Sequence, residues 1–172
     1  MKRNNLFPTP LWHIEGTPQQ LIDELYQGAY KFKEKYPSET KSNEGGYHSP
    51  SLKWDSFHPQ GIELINETVG KAIESNFKIT EWWYNINGKG HGNHPHNHGG
   101  VDYALVWYVT DSDRLLHLMS PFPQRRSESG DHISIAAQKG DIVIFPADLV
   151  HYVMPNQRDT DRISISMNLQ LC

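Results

Sequence analysis

The 172-residue sequence has a single cysteine, no dominant charge of either sign and no long apolar run. Cys172 cannot form an internal disulfide or a thiolate cluster, so a metal site would have to use histidines and carboxylates. A formal net charge of −4 argues against nucleic acid as a partner. Because no stretch approaches the roughly 20 apolar residues that span a bilayer and no apolar leader follows the first residues, we expect a cytoplasmic protein without a membrane segment.

Histidine, in contrast, is abundant. The chain has ten histidines, and four of them fall within residues 91–98. The length fits one domain over residues 1–172, with helical support and a loop in 1–76 and a β-rich core in 77–172.

The N-terminal part predicts two helices. Thr17, Pro18 and Gln20 fit an N-cap, a proline at the first helical position and a capping-box partner. Apolar residues then recur at helical spacing, and this helix should end before Pro37. A second helix is expected after Pro59, because its apolar residues also share one face.

From residue 77 onward the sequence changes to short strands separated by turn residues. The predicted strands cover 77–86, 101–110, 114–119, 132–136, 141–145, 149–154 and 162–169. Short strands without long intervening helices predict an antiparallel sandwich or barrel. We therefore expect a mainly β, cupin-like jelly-roll barrel with two supporting N-terminal helices, a fold that often houses a site in its mouth.

The last predicted strand alternates strictly between polar and apolar residues. Its polar set is Arg162, Ser164, Ser166 and Asn168, and its apolar set is Ile163, Ile165, Met167 and Leu169. The apolar face must pack against a core. The polar face is either exposed to solvent, as in many antiparallel sheets, or turned into a cavity.

The histidine cluster predicts a metal site. His96 and His98 are two residues apart, so in an extended segment they project to the same side and reach one ion. His151 is the best third candidate, because it follows a strand and a turn and precedes the Arg162 strand by eleven residues. Imidazole suits iron, zinc, copper or nickel. An exposed tract that binds metal weakly is the alternative for an isolated cluster.

Several ordered motifs carry a family resemblance. They are W-Y-N-I-N-G-K-G, H-P-H-N-H-G-G, L-V-W-Y-V, G-D-I-V-I-F-P-A-D-L-V-H and D-R-I-S-I-S-M-N, together with L-F-P-T-P-L-W and S-N-E-G-G-Y-H-S nearer the N-terminus. In this order the motifs resemble the 2-oxoglutarate/Fe(II) oxygenases of bacteria and phages, which are prolyl-hydroxylase-like double-stranded β-helix proteins. The resemblance extends over essentially the whole chain.

The resemblance implies specific roles. His96 and His151 match iron ligands, and His98 matches a position that is aspartate in the wider superfamily, so Asp102 and His94 stay open as alternatives for the third ligand. Arg162 matches the arginine that pairs with the distal carboxylate of 2-oxoglutarate. Ser164 and Tyr108 match its hydroxyl partners.

The activity so implied is a dioxygenase that uses Fe(II), 2-oxoglutarate and O2 to hydroxylate a substrate, with release of succinate and CO2. The all-histidine set keeps two alternatives open, a cupin-like metal-binding module and a three-histidine dioxygenase that does not use 2-oxoglutarate. The substrate, a small molecule or a peptide side chain, is not indicated. We expect Trp82, Trp83 and Trp107 to pack in the core or the barrel wall rather than to stack on a substrate, and Tyr47 and His48 to be candidates for substrate contact.

Overall fold

The computed structural model describes residues 8–113, 115–122 and 131–172, and these ranges contain two helices and eleven strands. Helices α1 and α2 span Gln19–Lys35 and Pro59–Ile73, with a single 3-10 turn at Trp54–Ser56 before α2. The strands are β1 (Trp12–Ile14), β2 (Asn43–Glu44), β3 (Tyr47–His48), β4 (Phe77–Asn87), β5 (Gly92–His96), β6 (Tyr103–Tyr108), β7 (Leu116–Met119), β8 (His132–Ile135), β9 (Ile142–Pro146), β10 (His151–Val153) and β11 (Arg162–Leu171).

The strands form two antiparallel sheets. The larger sheet has the order β1-β9-β6-β11-β4-β3, and the smaller has the order β2-β5-β10-β7-β8. The predicted mainly β jelly roll with two supporting helices is confirmed, and it is open rather than a closed barrel. The edge strands of the two sheets do not pair with each other, so the sheets face one another as an open sandwich.

Strand β11 lies in the middle of the larger sheet, between β6 and β4. Its alternating apolar residues Ile163, Ile165, Met167 and Leu169 are fully buried in a cluster that also contains residues of both helices, among them Leu25 of α1 and Ile65 of α2. The predicted packing of this face against a core is confirmed, and both helices contribute to that core. The polar face of β11 therefore points toward the smaller sheet, because neighbouring residues of a strand alternate between faces.

A second apolar cluster lies between the two sheets. It includes Ala104 and Val106 of β6, Leu116 of β7 and Phe145 of β9, all of which are buried. This cluster holds the sheets together beside the polar face of β11.

The predicted N-cap at Thr17 is wrong. The residue at the N-cap of α1 is Pro18, and no side chain caps the helix. The Thr17 hydroxyl donates instead to the carbonyl of Gly140 and accepts from Nε1 of Trp107 at 3.0 Å. The Thr17 hydroxyl thus bonds to residues that are distant in the sequence, whereas the local pattern predicted that it would cap the helix. The predicted end of α1 before Pro37 is confirmed.

The seven predicted strands correspond to β4 and β6–β11, with bounds that shift by a few residues. The first residue of the third prediction, Arg114, lies outside the described residues. Strands β1, β2, β3 and β5 were missed, because they are short or contain glycine and proline, which normally interrupt strands. Within the described ranges, no helix is long and apolar enough to cross a membrane.

Candidate active site

A cavity of about 570 Å3 opens between the two sheets. Its walls come from the polar face of β11, from the neighbouring strands β4 and β6, and from β5 and β10 of the smaller sheet. The predicted site residues His96, His98, His151, Arg162 and Ser164 all line it. The alternative of an exposed polar face on β11 is therefore wrong.

The three predicted metal-binding histidines meet at one end of this cavity. His96 of β5 and His151 of β10 lie directly opposite each other in the ladder between these strands. His98 follows β5 in a loop whose position is set by a hydrogen bond from the His98 amide to the carbonyl of Ala147. One ring nitrogen of each of the three histidines lies within 4.8 Å of the others.

The Nδ1 atom of each histidine pairs with an oxygen acceptor. Nδ1 of His96 donates to the carbonyl of His94 at 2.7 Å, and Nδ1 of His151 donates to the carbonyl of Leu149 at 3.0 Å. Nδ1 of His98 donates to Oδ1 of Asn168. When Nδ1 carries the proton, the lone pair of the neutral ring is on Nε2, so the three Nε2 atoms are the available ligands.

Burial also keeps these rings neutral. Desolvation lowers the pKa of His96 and His98, and it lowers the pKa of His151 to about 3, with the neighbouring His96 acting in the same direction. A histidine must be deprotonated to bind a metal, so this environment prepares all three rings for coordination.

The two alternative third ligands lie outside the cluster. Asp102 is exposed, and its carboxylate accepts from the amide of Leu171 at 2.8 Å. His94 is exposed at the rim of the cavity, with Nδ1 at 3.9 Å from Oε2 of Glu44. Of the three candidates, only His98 has a ring nitrogen in the group with those of His96 and His151.

Arg162 occupies a different part of the cavity and has no anionic partner in the part of the chain that the structure describes. Its side chain is 3% exposed, its Nε atom has no hydrogen-bond partner, and no carboxylate forms an ion pair with it. Desolvation lowers the pKa of its guanidinium. Burying a charge costs several kcal/mol unless it is compensated, so this arrangement indicates a site for an anion.

Tyr108 and Ser164 lie next to Arg162. The guanidinium carbon of Arg162 is 5.4 Å from the centre of the Tyr108 ring, and Ser164 of β11 is opposite Tyr108 of β6 in the sheet. The buried Tyr108 hydroxyl faces Arg162 and Ser112 without good hydrogen-bond geometry. Of these three side chains, Arg162 and Ser164 line the cavity and Tyr108 does not. Buried polar groups without partners are rare, so donors remain available beside this end of the cavity for an acceptor-rich ligand.

The sequence interpretation missed a chain of side chains behind His98. Asn168, which accepts from His98, donates through Nδ2 to Oε1 of Glu81 at 2.7 Å. A carboxylate thus reaches the third histidine through an amide. The alternation of Glu81, Trp83 and Asn85 with buried apolar residues along β4 is the signal that could have placed Glu81 on the cavity side.

The aromatic residues divide between core and cavity. Trp82 and Trp107 are buried in the cluster beneath the helices, as predicted, while Trp83 lines the cavity. His48 also lines the cavity, but Tyr47 points the other way, and its hydroxyl donates to the carbonyls of Phe32 and Tyr36. Tyr47 is therefore a core residue and was a wrong candidate for substrate contact.

Solved structures share this fold. The carbocyclase SnoK of nogalamycin biosynthesis, described as non-heme and alpha-ketoglutarate-dependent, aligns with a TM-score of 0.71 at 11% identity over 94% of this chain and 79% of its own. A prolyl-4-hydroxylase from Pseudomonas putida aligns with a TM-score of 0.66 at 10% identity over 93% and 91%. HygX from Streptomyces hygroscopicus, solved with nickel and 2-oxoglutarate, aligns with a TM-score of 0.67 at 10% identity over 94% and 83%. At such identities the similarity establishes the double-stranded β-helix fold.

No curated protein is similar enough in sequence to count as a relative. A family model described as "Putative 2OG-Fe(II) oxygenase" matches residues 81–168, which include all three histidines, Tyr108, Arg162 and Ser164. The matched segment covers just over half of the chain and runs from β4 to β11. The chain therefore belongs to the 2OG-Fe(II) oxygenase family, whose members depend on 2-oxoglutarate and iron(II).

Proposed function

We propose that this oxygenase holds iron(II) through His96, His98 and His151, and that 2-oxoglutarate extends from the metal to Arg162. The buried, uncompensated guanidinium of Arg162 in the same cavity as three converging histidines carries this proposal. A metal-binding module without a co-substrate has no use for such an arginine.

The donor set fits the metal. Three neutral imidazoles suit iron(II), and three protein ligands leave the remaining positions of the ion free for a co-substrate and oxygen. The departure from the wider superfamily is the lack of a carboxylate ligand. Glu81 supplies a negative charge to His98 indirectly, through Asn168. Such outer partners orient a ligating ring and raise its basicity.

The opposite end of the cavity fits a carboxylate. Guanidinium offers a planar fork of donors that matches the geometry of a carboxylate better than an ammonium group does. The Tyr108 hydroxyl and Arg162 Nε, which have no hydrogen-bond partner among the described residues, are donors that an anion would satisfy. Val106, Leu116 and Phe145 line the cavity as an apolar wall that excludes water from the ligand.

When bound together, iron(II), 2-oxoglutarate and oxygen supply the oxidation of an unactivated C–H bond, with formation of succinate and CO2. We propose hydroxylation as the outcome. The protein holds the three rings through their Nδ1 protons, neutralises the distal carboxylate with Arg162 and shields the reacting groups from water.

We propose that the substrate is a small molecule or a peptide side chain. Two similar folds support that range, since HygX was solved with hygromycin B and a prolyl hydroxylase from Trichoplax adhaerens with a peptide fragment.

We also propose a cytoplasmic location, which the exposed free thiol of Cys172 supports because disulfide-forming compartments disfavour free thiols. Cell fractionation with an antibody to the protein tests it.

Anaerobic titration of the iron-loaded protein with 2-oxoglutarate tests the assignment of residues. We expect saturable binding, visible as a new absorption band, and slow succinate formation that requires iron, 2-oxoglutarate and oxygen together. Arg162→Ala should weaken 2-oxoglutarate binding about 100-fold while metal still binds. His151→Ala should lose the metal.

His117→Ala is the matched control, because His117 stacks on Tyr152 away from the three-histidine group. This variant should behave like the parent in both titrations. If Arg162→Ala binds 2-oxoglutarate as the parent does, the proposed orientation is wrong. If metal binds but 2-oxoglutarate does not, the results favour one of the two alternative functions, a three-histidine dioxygenase or a cupin-like metal-binding module.

A further inference from the structure

The register of the larger sheet divides the cavity wall into two halves on either side of β11. On the β6 and β9 side, the residues that line the cavity are apolar, namely Ala104, Leu105, Val106 and Phe145. On the β4 and β3 side they are polar apart from Trp83. Ser164 lies opposite Asn85, Ser166 opposite Trp83 and Asn168 opposite Glu81.

This polar half also includes His48 of β3, which pairs with Asn85. Trp83 is in ring contact with both His48 and His98, with 5.6 Å between ring centres in each case. The polar half therefore adjoins the third metal-binding histidine directly. A molecule that rests on it lies next to the metal, on the side away from the apolar wall.

Three side chains of the polar half present hydrogen-bond acceptors. Nδ1 of His48 donates to the carbonyl of Ser49 at 2.7 Å, which leaves the lone pair on Nε2. Nδ2 of Asn85 donates to Ser166 at 3.0 Å, which leaves Oδ1 as an acceptor. Oε1 of Glu81 accepts from Asn168, and the second carboxylate oxygen has no partner among the described residues.

His48 and Asn85 are almost fully buried, with exposed fractions of 5% and 7%. Burial lowers the pKa of His48, which favours the neutral ring with its free lone pair. Both side chains line the cavity, so their free acceptors are open to it and can accept from donors of a ligand.

The charges that line the cavity favour a cation at this half. The charged residues that line the cavity as a whole are Lys41, Glu81 and Arg162. Lys41 is exposed and lies 3.4 Å from Glu39, and Arg162 is at the proposed co-substrate end. Within the described ranges, no lysine, arginine or histidine forms an ion pair with Glu81, so this carboxylate of the polar half is open to a cation of the substrate.

We propose that the substrate carries a cationic nitrogen, an ammonium or guanidinium group, which binds Glu81 while further donors of the substrate reach His48 and Asn85. This inference rests on the proposed function, because it takes the Arg162 end to be filled by 2-oxoglutarate. An ammonium or guanidinium group has several N–H donors and a positive charge, and it therefore satisfies both the acceptors and the unpaired carboxylate.

Three matched pairs of compounds test the charge preference on the unmodified protein. They are Nα-acetyl-L-lysine amide with its N6-acetyl derivative, Nα-acetyl-L-arginine amide with Nα-acetyl-L-citrulline amide, and glucosamine with N-acetylglucosamine, so that each pair has one singly cationic and one neutral member. Binding is measured by calorimetry, without oxygen, to protein that carries iron(II) and 2-oxoglutarate. We expect at least one pair to bind, with the cationic member about tenfold tighter or more.

Glu81→Gln should reduce that preference to less than about threefold. Glutamine keeps an oxygen that can accept from Asn168, so the contact behind His98 is retained while the charge is removed. Glu63→Gln, a substitution on the exposed side of α2, should leave the preference unchanged.

The proposal is overturned if the neutral members bind as tightly as the cationic ones, if no cationic member binds, or if Glu81→Gln keeps the preference. Repeating the titrations with zinc-loaded protein and no co-substrate separates the two hypotheses. Loss of 2-oxoglutarate binding together with a retained cation preference contradicts only the proposed function, whereas the reverse result contradicts only this inference.

Discussion

Arg162 is a buried cation that has no anionic partner among residues 8–113, 115–122 and 131–172. Replacing an uncompensated buried charge with an apolar side chain of similar size often stabilises a protein, while removing the partner of a charge destabilises it. Replacing Arg162 with an apolar residue should therefore raise the stability of the ligand-free protein while it weakens the binding of 2-oxoglutarate.

We expect Arg162→Met to raise the melting temperature of the protein without 2-oxoglutarate, by about 2–4 °C for each kcal/mol of relieved desolvation. The variant should also lose the upward shift that 2-oxoglutarate produces in the parent. Thermal scanning of both proteins with and without the co-substrate measures both effects. Arg158→Met is the control, because Arg158 is an exposed arginine that pairs with Asp111 and Asp113. A variant that melts lower and keeps the ligand shift contradicts the role of Arg162.

Asn168 is the second residue whose contacts suggest a measurable role. It connects His98 to Glu81 and so fixes which nitrogen of His98 faces the other histidines. Loss of an outer partner of a metal ligand typically weakens metal binding by about 10- to 100-fold.

Asn168→Leu should therefore weaken the binding of iron(II) or cobalt(II) by about 10- to 100-fold in competitive titration with a chelator. Ser166→Ala is the comparison, because Ser166 lies on the same face of β11 but bonds to Asn85 rather than to a histidine. Equal metal affinity in Asn168→Leu and the parent shows that the amide does not hold the ring.

At the scale of secondary-structure elements, the pairing of β5 with β10 brings His96 opposite His151. This pairing depends on a close approach at Gly92. A Cβ atom at Gly92 would lie 2.5 Å from the backbone oxygen of Val153. Backbone cannot move aside as a flexible side chain can, so a larger residue must push the two strands apart.

We expect Gly92→Ala to lower the melting temperature by several degrees and to weaken metal binding, because the displaced β5 carries His96 away from His151. Gly99→Ala is a matched control after the same strand, since a Cβ atom there meets nothing within 4 Å. Thermal scanning measures the change in melting temperature, and the metal titration measures the change in metal affinity. Gly92→Ala with parental stability and metal affinity contradicts it.

At the scale of the whole molecule, β11 separates stability from ligand binding by its two faces. Ile165 is fully buried in the cluster beneath the helices, whereas the adjacent Ser164 lines the cavity. The two faces contact different parts of the protein, so changes on them should have different consequences.

Ile165→Ala should lower the free energy of unfolding by about 2–5 kcal/mol, because it leaves a cavity in a close-packed core. The folded variant should keep the parental affinity for 2-oxoglutarate. Ser164→Ala should show the converse, with nearly unchanged stability and a co-substrate affinity weakened by about three- to tenfold. Urea unfolding and the anaerobic titration measure the two quantities. If both variants lose stability and affinity in parallel, the faces of β11 are not independent.

The sequence by itself determined the features that depend on local periodicity and on ordered motifs. The strict alternation in β11 predicted its buried face, and the helical spacing of apolar residues predicted α1 and α2. The motifs around His96, His151 and Arg162 predicted the family, because their order along the chain is specific even where each motif is short.

Only the tertiary structure decided what depends on contacts between distant segments. Thr17 became a partner of Gly140 and Trp107 instead of a helix cap, since a hydroxyl takes the best partner in space rather than in sequence. The grouping of His98, rather than Asp102 or His94, with His96 and His151 followed from strand pairing and a loop contact. The lack of an ion-pair partner for Glu81 among the described residues followed from sheet register. Hydrogen bonds and charge compensation depend on distances of a few ångströms, and local patterns do not encode distances between residues far apart in the chain.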